Sequence, residues 1–339
     1  MQSAVELRSW PTARPVPSAR VFVAIVVLCL IASAAFASLL PLQLSIVTVF
    51  LFAGPHNWFE LRYFLMRLPV RFGRSRNFFL TAFVGLGVLT LVYVSLPLVY
   101  SATTLSEDAW STVIATWNTA LIVWLGALIW LRSKQKPRAN WTWLIPLGLA
   151  LCSLNWLGPN FFSLAIVYIH PLIALWFLDR HLRRTRPAWS RAYRRSLCLL
   201  PLILVGMIWQ LSQTSMLADN NGLFWRITQH SGAEVLPQVS SHLLVSVHLF
   251  LEMLHYAVWI VALPLIGSRA RFWDVKTVPV ARHPKGFPRL VGGVLVTALI
   301  AVAALWFGFS IDYATTRDVY FTVAIAHVLA EAPFLLRMI

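Results

Sequence analysis

Of the chain's 339 residues 59% are hydrophobic and 12% charged, against roughly 25% charged in an average soluble domain, and the mean hydropathy is +0.72. A soluble globular fold is excluded. The 28 Lys and Arg exceed the 12 Asp and Glu, for a formal net charge of +16, but that charge is distributed as membrane orientation requires, so no nucleic-acid partner is expected.

A bilayer core of about 30 Å needs about 20 mostly apolar residues per helix, and ten such runs follow one another. Residues 1–20, with Arg8, Arg14, Arg20 and three prolines, form a basic tail. The run 21–40 is too long for a typical signal-peptide core and ends without a small-residue cleavage site, so it reads as a retained helix. The runs 43–66, 78–100 and 111–131 come next. Runs 141–157 and 161–178 are parted only by Gly158, Pro159 and Asn160, and are read as two helices because alternating sides demands an even number there. Runs 197–213, 240–266, 290–309 and 319–338 complete the set. The expected fold is an all-α polytopic transmembrane helix bundle of about ten spans, with residues 21–339 as one transmembrane domain. Its oligomeric state is left open.

With the N-terminus in the cytoplasm, all the basic residues except Arg226 and Arg317 fall on the cytoplasmic side, and Glu107, Asp108, Asp219, Glu234, Asp312 and Asp318 fall on the other. This positive-inside bias predicts both termini in the cytoplasm of an integral membrane protein, placed in the bacterial inner (plasma) membrane. The basic run from Arg180 to Arg195 needs no other explanation than topology. Trp141, Trp143 and Trp189 read as anchors at the membrane interface, and membrane lipids are the expected surroundings. Cys29, Cys152 and Cys198 lie singly in apolar runs and read as small buried hydrophobes.

Ionisable groups at mid-bilayer are costly and are kept mainly where they act. Five of the nine histidines, His56, His170, His248, His255 and His327, fall near span centres, whereas His181, His230, His242 and His283 read as loop or interfacial residues. Three glutamates, Glu60, Glu252 and Glu331, are embedded as well, each four residues after a histidine: His56–Glu60, His248–Glu252 and His327–Glu331. That spacing puts both side chains on one helix face. His255 returns to the face of His248 two turns on. All four spans concerned run in the same direction in this topology, so their histidines are expected to meet at one depth. Neutral imidazole is a ligand for iron, copper or zinc, and a metal-bound histidine commonly donates its other N–H to a carboxylate. The expected site therefore has His56, His170, His248, His255 and His327 as ligands and Glu60, Glu252 and Glu331 either as the acids that orient them or as ligands themselves, with iron(II) first and copper, zinc or haem as alternatives. Gly54 and Pro55 are expected to break the second span just before His56. Asn57 and Trp58 are candidate substrate contacts, and Asn57 serves equally as interhelical hydrogen-bond glue, as do Asn118, Asn155 and Gln210.

The order Pro55-His56-x3-Glu60, Ile169-His170, His248 with His255, and His327-x3-Glu331 resembles the Brp/Blh-type membrane carotene oxygenases. The resemblance covers these short motifs alone. Where that family carries Asp after its Pro-His this chain has Glu60, and the third motif spaces its histidines more widely. It implies a histidine-held non-haem iron and oxidative attack on a lipid-soluble small molecule such as a carotenoid or other isoprenoid. Two other readings stay open on the residues themselves: a proton-coupled transporter or channel with His56, Glu60, Glu252, His255 and Glu331 as a relay, and a haem b protein. A non-catalytic membrane subunit holding a pigment or a partner is a further one.

Overall fold

Leu-, Ile-, Val- and Phe-rich runs leave the backbone as the main polar group of a segment, and a helix satisfies it without outside partners. The computed structural model describes residues 18–136, 141–218, 221–267, 275–284 and 286–338, and among them the regular structure is entirely helical. In chain order the helices are α1 (Ala19–Leu39), α2 (Pro41–Arg67), α3 (Arg76–Ala102), α4 (Glu107–Gln135), α5 (Leu144–Leu157), α6 (Pro159–Thr185), α7 (Pro187–Leu197), α8 (Leu199–Leu211), α9 (Gly222–His230), α10 (Ser241–Tyr256), α11 (Leu263–Gly267), α12 (Pro279–Arg282), α13 (Pro288–Ile311) and α14 (Tyr313–Met338). A π-helical turn, Ala257–Ala262, joins α10 to α11. The basic tail falls almost wholly outside the described residues.

Among the described residues, eight of the ten expected spans are matched by stretches long and apolar enough to cross a membrane, α7 and α8 together making one of them. The remaining two expected spans are helices of another kind. α2 has 27 residues but carries His56, Asn57, Glu60, Arg62 and Arg67, and α5 has only 14 residues. The expected break at Gly54–Pro55 is absent, because α2 runs unbroken through it. Pro55 still removes the N–H that would have bonded the Leu51 carbonyl. Gly54 has a different purpose: a Cβ there would stand 2.8 Å from Cγ1 of Val302, so its absence lets α13 lie close against α2.

α10 is the central helix, buried on nearly every face and packed against α1, α2, α6 and α8. Its Leu249, Phe250 and Leu254 share one apolar cluster with Leu30 of α1, Phe64 of α2, Phe177 of α6 and Phe334 of α14. Phe64 and Phe334 stack at 4.3 Å, which fixes α14 beside α2. A second cluster, with Phe78, Phe79, Trp117, Trp124 and Leu329, joins α3, α4 and α14. Trp189 is not an interfacial anchor: it is buried and stacks on Phe22 at 4.7 Å, holding amphipathic α7 under α1. Asn118 and Asn155 are interhelical glue, the amide of one donating to the other at 2.8 Å, while Gln210 is exposed. At the helix ends Arg132 donates to the carbonyls of Leu336 and Arg337, and Arg337 to that of Arg67, so the ends of α2, α4 and α14 are tied together.

Two outcomes are expected. In a background with Cys29, Cys152 and Cys198 replaced by Ala, an impermeant maleimide added from outside should label a cysteine at Asn221 and spare one at Arg191; labelling of Arg191 alone would invert the topology. Gly54→Ala should cost about 1–3 kcal/mol by overpacking, read as a loss in thermal stability in detergent that Val302→Ala in the same chain relieves.

Candidate metal centre

The residues meet because four helices bring one histidine each to a common depth. His56, His170, His255 and His327 lie roughly 16–23 Å along α2, α6, α10 and α14 from their first residues, at about 1.5 Å rise per residue. His56 donates from Nδ1 to the Phe52 carbonyl one turn back at 3.0 Å, which turns Nε2 away from its own helix. His170 donates from Nδ1 to Oε2 of Glu331 at 3.1 Å, and its Nε2 lies 3.1 Å from Nε2 of His327. The ring of His255 lies 5.2 Å from that of His56, 4.7 Å from that of His170 and 6.1 Å from that of His327. One donor atom each from His56, Glu60, His255 and His327 lie within 4.8 Å of one another, and His170, His255 and Glu331 form an overlapping set.

Burial makes this arrangement demanding. Glu60 and His255 are 1% and 2% exposed, yet both oxygens of Glu60 and both ring nitrogens of His255 lack a hydrogen-bond partner, as do Nδ1 of His327 and Oε1 of Glu331. A buried polar atom left without a partner costs about 1–3 kcal/mol, and more when charged. A cation among them would satisfy the set. Imidazole nitrogens with a carboxylate suit divalent iron, zinc or copper. Glu331 already takes the Nδ1 proton of His170, leaving a lone pair on Nε2. Two ligands each about 2.1 Å from one metal stand near 3 Å apart, as these two Nε2 atoms do. One divalent ion beside ionised Glu60 and Glu331 would be locally neutral.

Other expected residues are placed differently. His248 lines the same cavity but lies two turns up α10, with its ring 5.2 Å from that of His230 and 5.7 Å from that of Tyr168. Glu252 does not hold a histidine: it accepts a 2.6 Å bond from the hydroxyl of Tyr256. Asn57 donates to the Ala53 carbonyl at 3.0 Å and to the Tyr320 hydroxyl at 3.5 Å. Trp58 faces α13, its indole donating to the Leu295 carbonyl at 3.1 Å. Two histidines expected at the surface are inside. His181 is buried and takes a bond from Arg67 at 3.2 Å. His230 lines the cavity against Phe321, ring centroids 4.0 Å apart.

The cavity has a volume of about 140 Å³, small beside the roughly 300–1,000 Å³ of drug-sized ligand sites. Its lining includes His56, His170, His255 and His327, the polar side chains of His230, His248, Glu252, Tyr256 and Tyr320, and the apolar Trp117, Ile166, Val167, Ile325 and Val328. Tyr256 and Tyr320 escaped the sequence reading because nothing in spacing separates a lining tyrosine from a packing one. His230 had one signal: Leu223, Phe224 and Ile227 make the loop segment that carries it amphipathic. No protein-family profile, curated protein or solved structure matches the chain.

Tyr256→Phe should remove the donor to Glu252 and cost about 1–3 kcal/mol, measured as thermal unfolding in detergent. Adding Glu252→Gln should recover part of that loss, since a neutral amide is cheaper to leave buried than a carboxylate; no recovery would deny the pairing its role.

Proposed function

We propose that His56, His170, His255 and His327, with Glu60, hold one divalent first-row metal at mid-membrane, iron(II) before zinc or copper. On this reading the protein is an integral-membrane metal-dependent oxidoreductase that uses dioxygen to attack a lipid-soluble substrate such as a carotenoid or other isoprenoid, in the bacterial inner membrane. The observation that carries it is the buried convergence of His56, Glu60, His255 and His327, donor atoms within 4.8 Å, with Glu60 and His255 unpartnered. The order of the motifs, similar to that of the Brp/Blh-type oxygenases, supports iron and an isoprenoid substrate.

When bound, the metal supplies redox chemistry that side chains lack. The chain supplies the rest. Glu331 holds the imidazole of His170 in one orientation and one tautomer. Trp117, Ile166, Val167, Ile325 and Val328 take the apolar body of the substrate and keep water out. The hydroxyl of Tyr256, bonded to Glu252 and carried on a ring 4.7 Å from that of His56, holds a proton beside the cluster. The histidine rings interlock at centroid spacings of 4.7–6.1 Å, which leaves no plane for a porphyrin between them and weighs against haem. A proton relay is favoured by one observation, the two buried polar contacts Asn57–Tyr320 and Tyr256–Glu252 near the cluster.

Elemental analysis with an absorption spectrum of the detergent-purified protein separates the two. One metal per chain is expected. His255→Ala should lose it, and Glu331→Gln should keep it with about 10- to 100-fold weaker affinity. Negligible metal in the wild-type protein after reconstitution with iron(II), zinc and copper would overturn the metal reading in favour of the relay.

A further inference from the structure

His230 and His248 remain outside the metal cluster and outside every hydrogen bond among the described residues. Their rings, 5.2 Å apart, both line the cavity. Neither belongs to a group of side chains able to hold a metal, and neither has a nitrogen closed off from open space. Phe321 packs on His230 and Tyr168 on His248, with ring centroids 4.0 and 5.7 Å away, so both imidazoles are fixed in place. Tyr168 is itself anchored by bonds from its hydroxyl to the Ser231 and Leu244 carbonyls.

A neutral imidazole offers one N–H donor and one lone-pair acceptor. Two of them in an otherwise enclosed wall offer a donor and an acceptor to one small polar group. Neutral imidazoles carry no charge, so the pair suits an uncharged polar group. His248 precedes His255 by two helical turns, about 10 Å along α10. The apolar lining residues Trp117, Ile325 and Val328 adjoin Tyr93, whose ring lies 4.8 Å from that of Trp117 and which also lines a second groove with Leu96, Pro97 and Trp110. The two imidazoles are thus a polar pair in a cavity whose other lining is largely apolar.

We infer that His230 and His248 bind the hydroxyl or carbonyl end of an elongated apolar molecule, placing a carbon about 10 Å from that end at the histidine cluster. The inference rests on the reading that this cavity receives a lipid-soluble substrate, and adds the functional group that substrate carries. The two imidazoles then act as a ruler that selects which position along the chain reaches the metal.

The test is binding of tritiated phytol, a branched twenty-carbon isoprenoid alcohol, to the detergent-purified full chain, with displacement by unlabelled phytol and by its hydrocarbon counterpart phytene. The hydroxyl should make phytol bind about tenfold more tightly, the worth of one or two net hydrogen bonds. His248→Phe and, separately, His230→Phe should bring the two ligands to parity with metal content unchanged, and His248→Gln should keep part of the preference. Equal binding of phytol and phytene by the wild-type protein would overturn this inference alone. No saturable binding of either would overturn it together with the lipid-substrate reading. Loss of metal from both Phe variants would overturn it by making the pair part of the metal site.

Discussion

A carboxylate in the interior of a membrane bundle needs either a proton or a positive neighbour, and Glu60 has no hydrogen-bond donor for either oxygen. Much of the architecture near the site can be understood from that constraint. The nitrogens around Glu60 come from α2, α10 and α14, and the imidazole of His170 on α6 closes the set. α10 must then run through the centre of the bundle, because its His255 faces histidines from three other helices. The π-helical turn just beyond Tyr256 belongs to the same geometry. Such turns carry one extra residue per turn and are frequent at functional sites; here it brings Trp259 against Phe64, Phe177 and His255.

Charge is divided along the cavity rather than pooled. Three carboxylates sharing one small volume would repel one another strongly at low dielectric. Glu60 and Glu331 stay with the histidines, while Glu252 lies toward Arg317 and is satisfied by Tyr256. The cluster thereby keeps the negative charge that one divalent ion would balance.

The sequence made the four central histidines and the acids at Glu60 and Glu331 legible, because an ionisable residue in an apolar run is rare and a spacing of four fixes a shared face. Spacing gives the face but not the partner. Glu331 turned out to hold His170 on another helix rather than His327 on its own, and Glu252 to hold no histidine at all. His248 was read with the cluster because a seven-residue return restores the face, yet two turns change the depth by about 10 Å. His230 was hidden by its position in a connecting segment, since the sequence does not say that α9 folds back against α10 and α14. The span count is matched for eight stretches among the described residues, and the other two expected runs are helices of another kind: α2 is more polar and α5 shorter than a free-standing span.

The distribution of the ligands along the chain has a consequence for how the protein is made. His56 is among the early helices to leave the ribosome and His327 lies in α14, which Arg132 and Arg337 latch to the ends of α4 and α2. The cluster cannot be complete until α14 has been inserted and docked. On the metal reading, a half-synthesised chain holds only part of the donor set, so the centre would not form before α14 docks. Biogenesis itself would then decide when the chemistry becomes available, and the closing of α14 would be the step that arms the site.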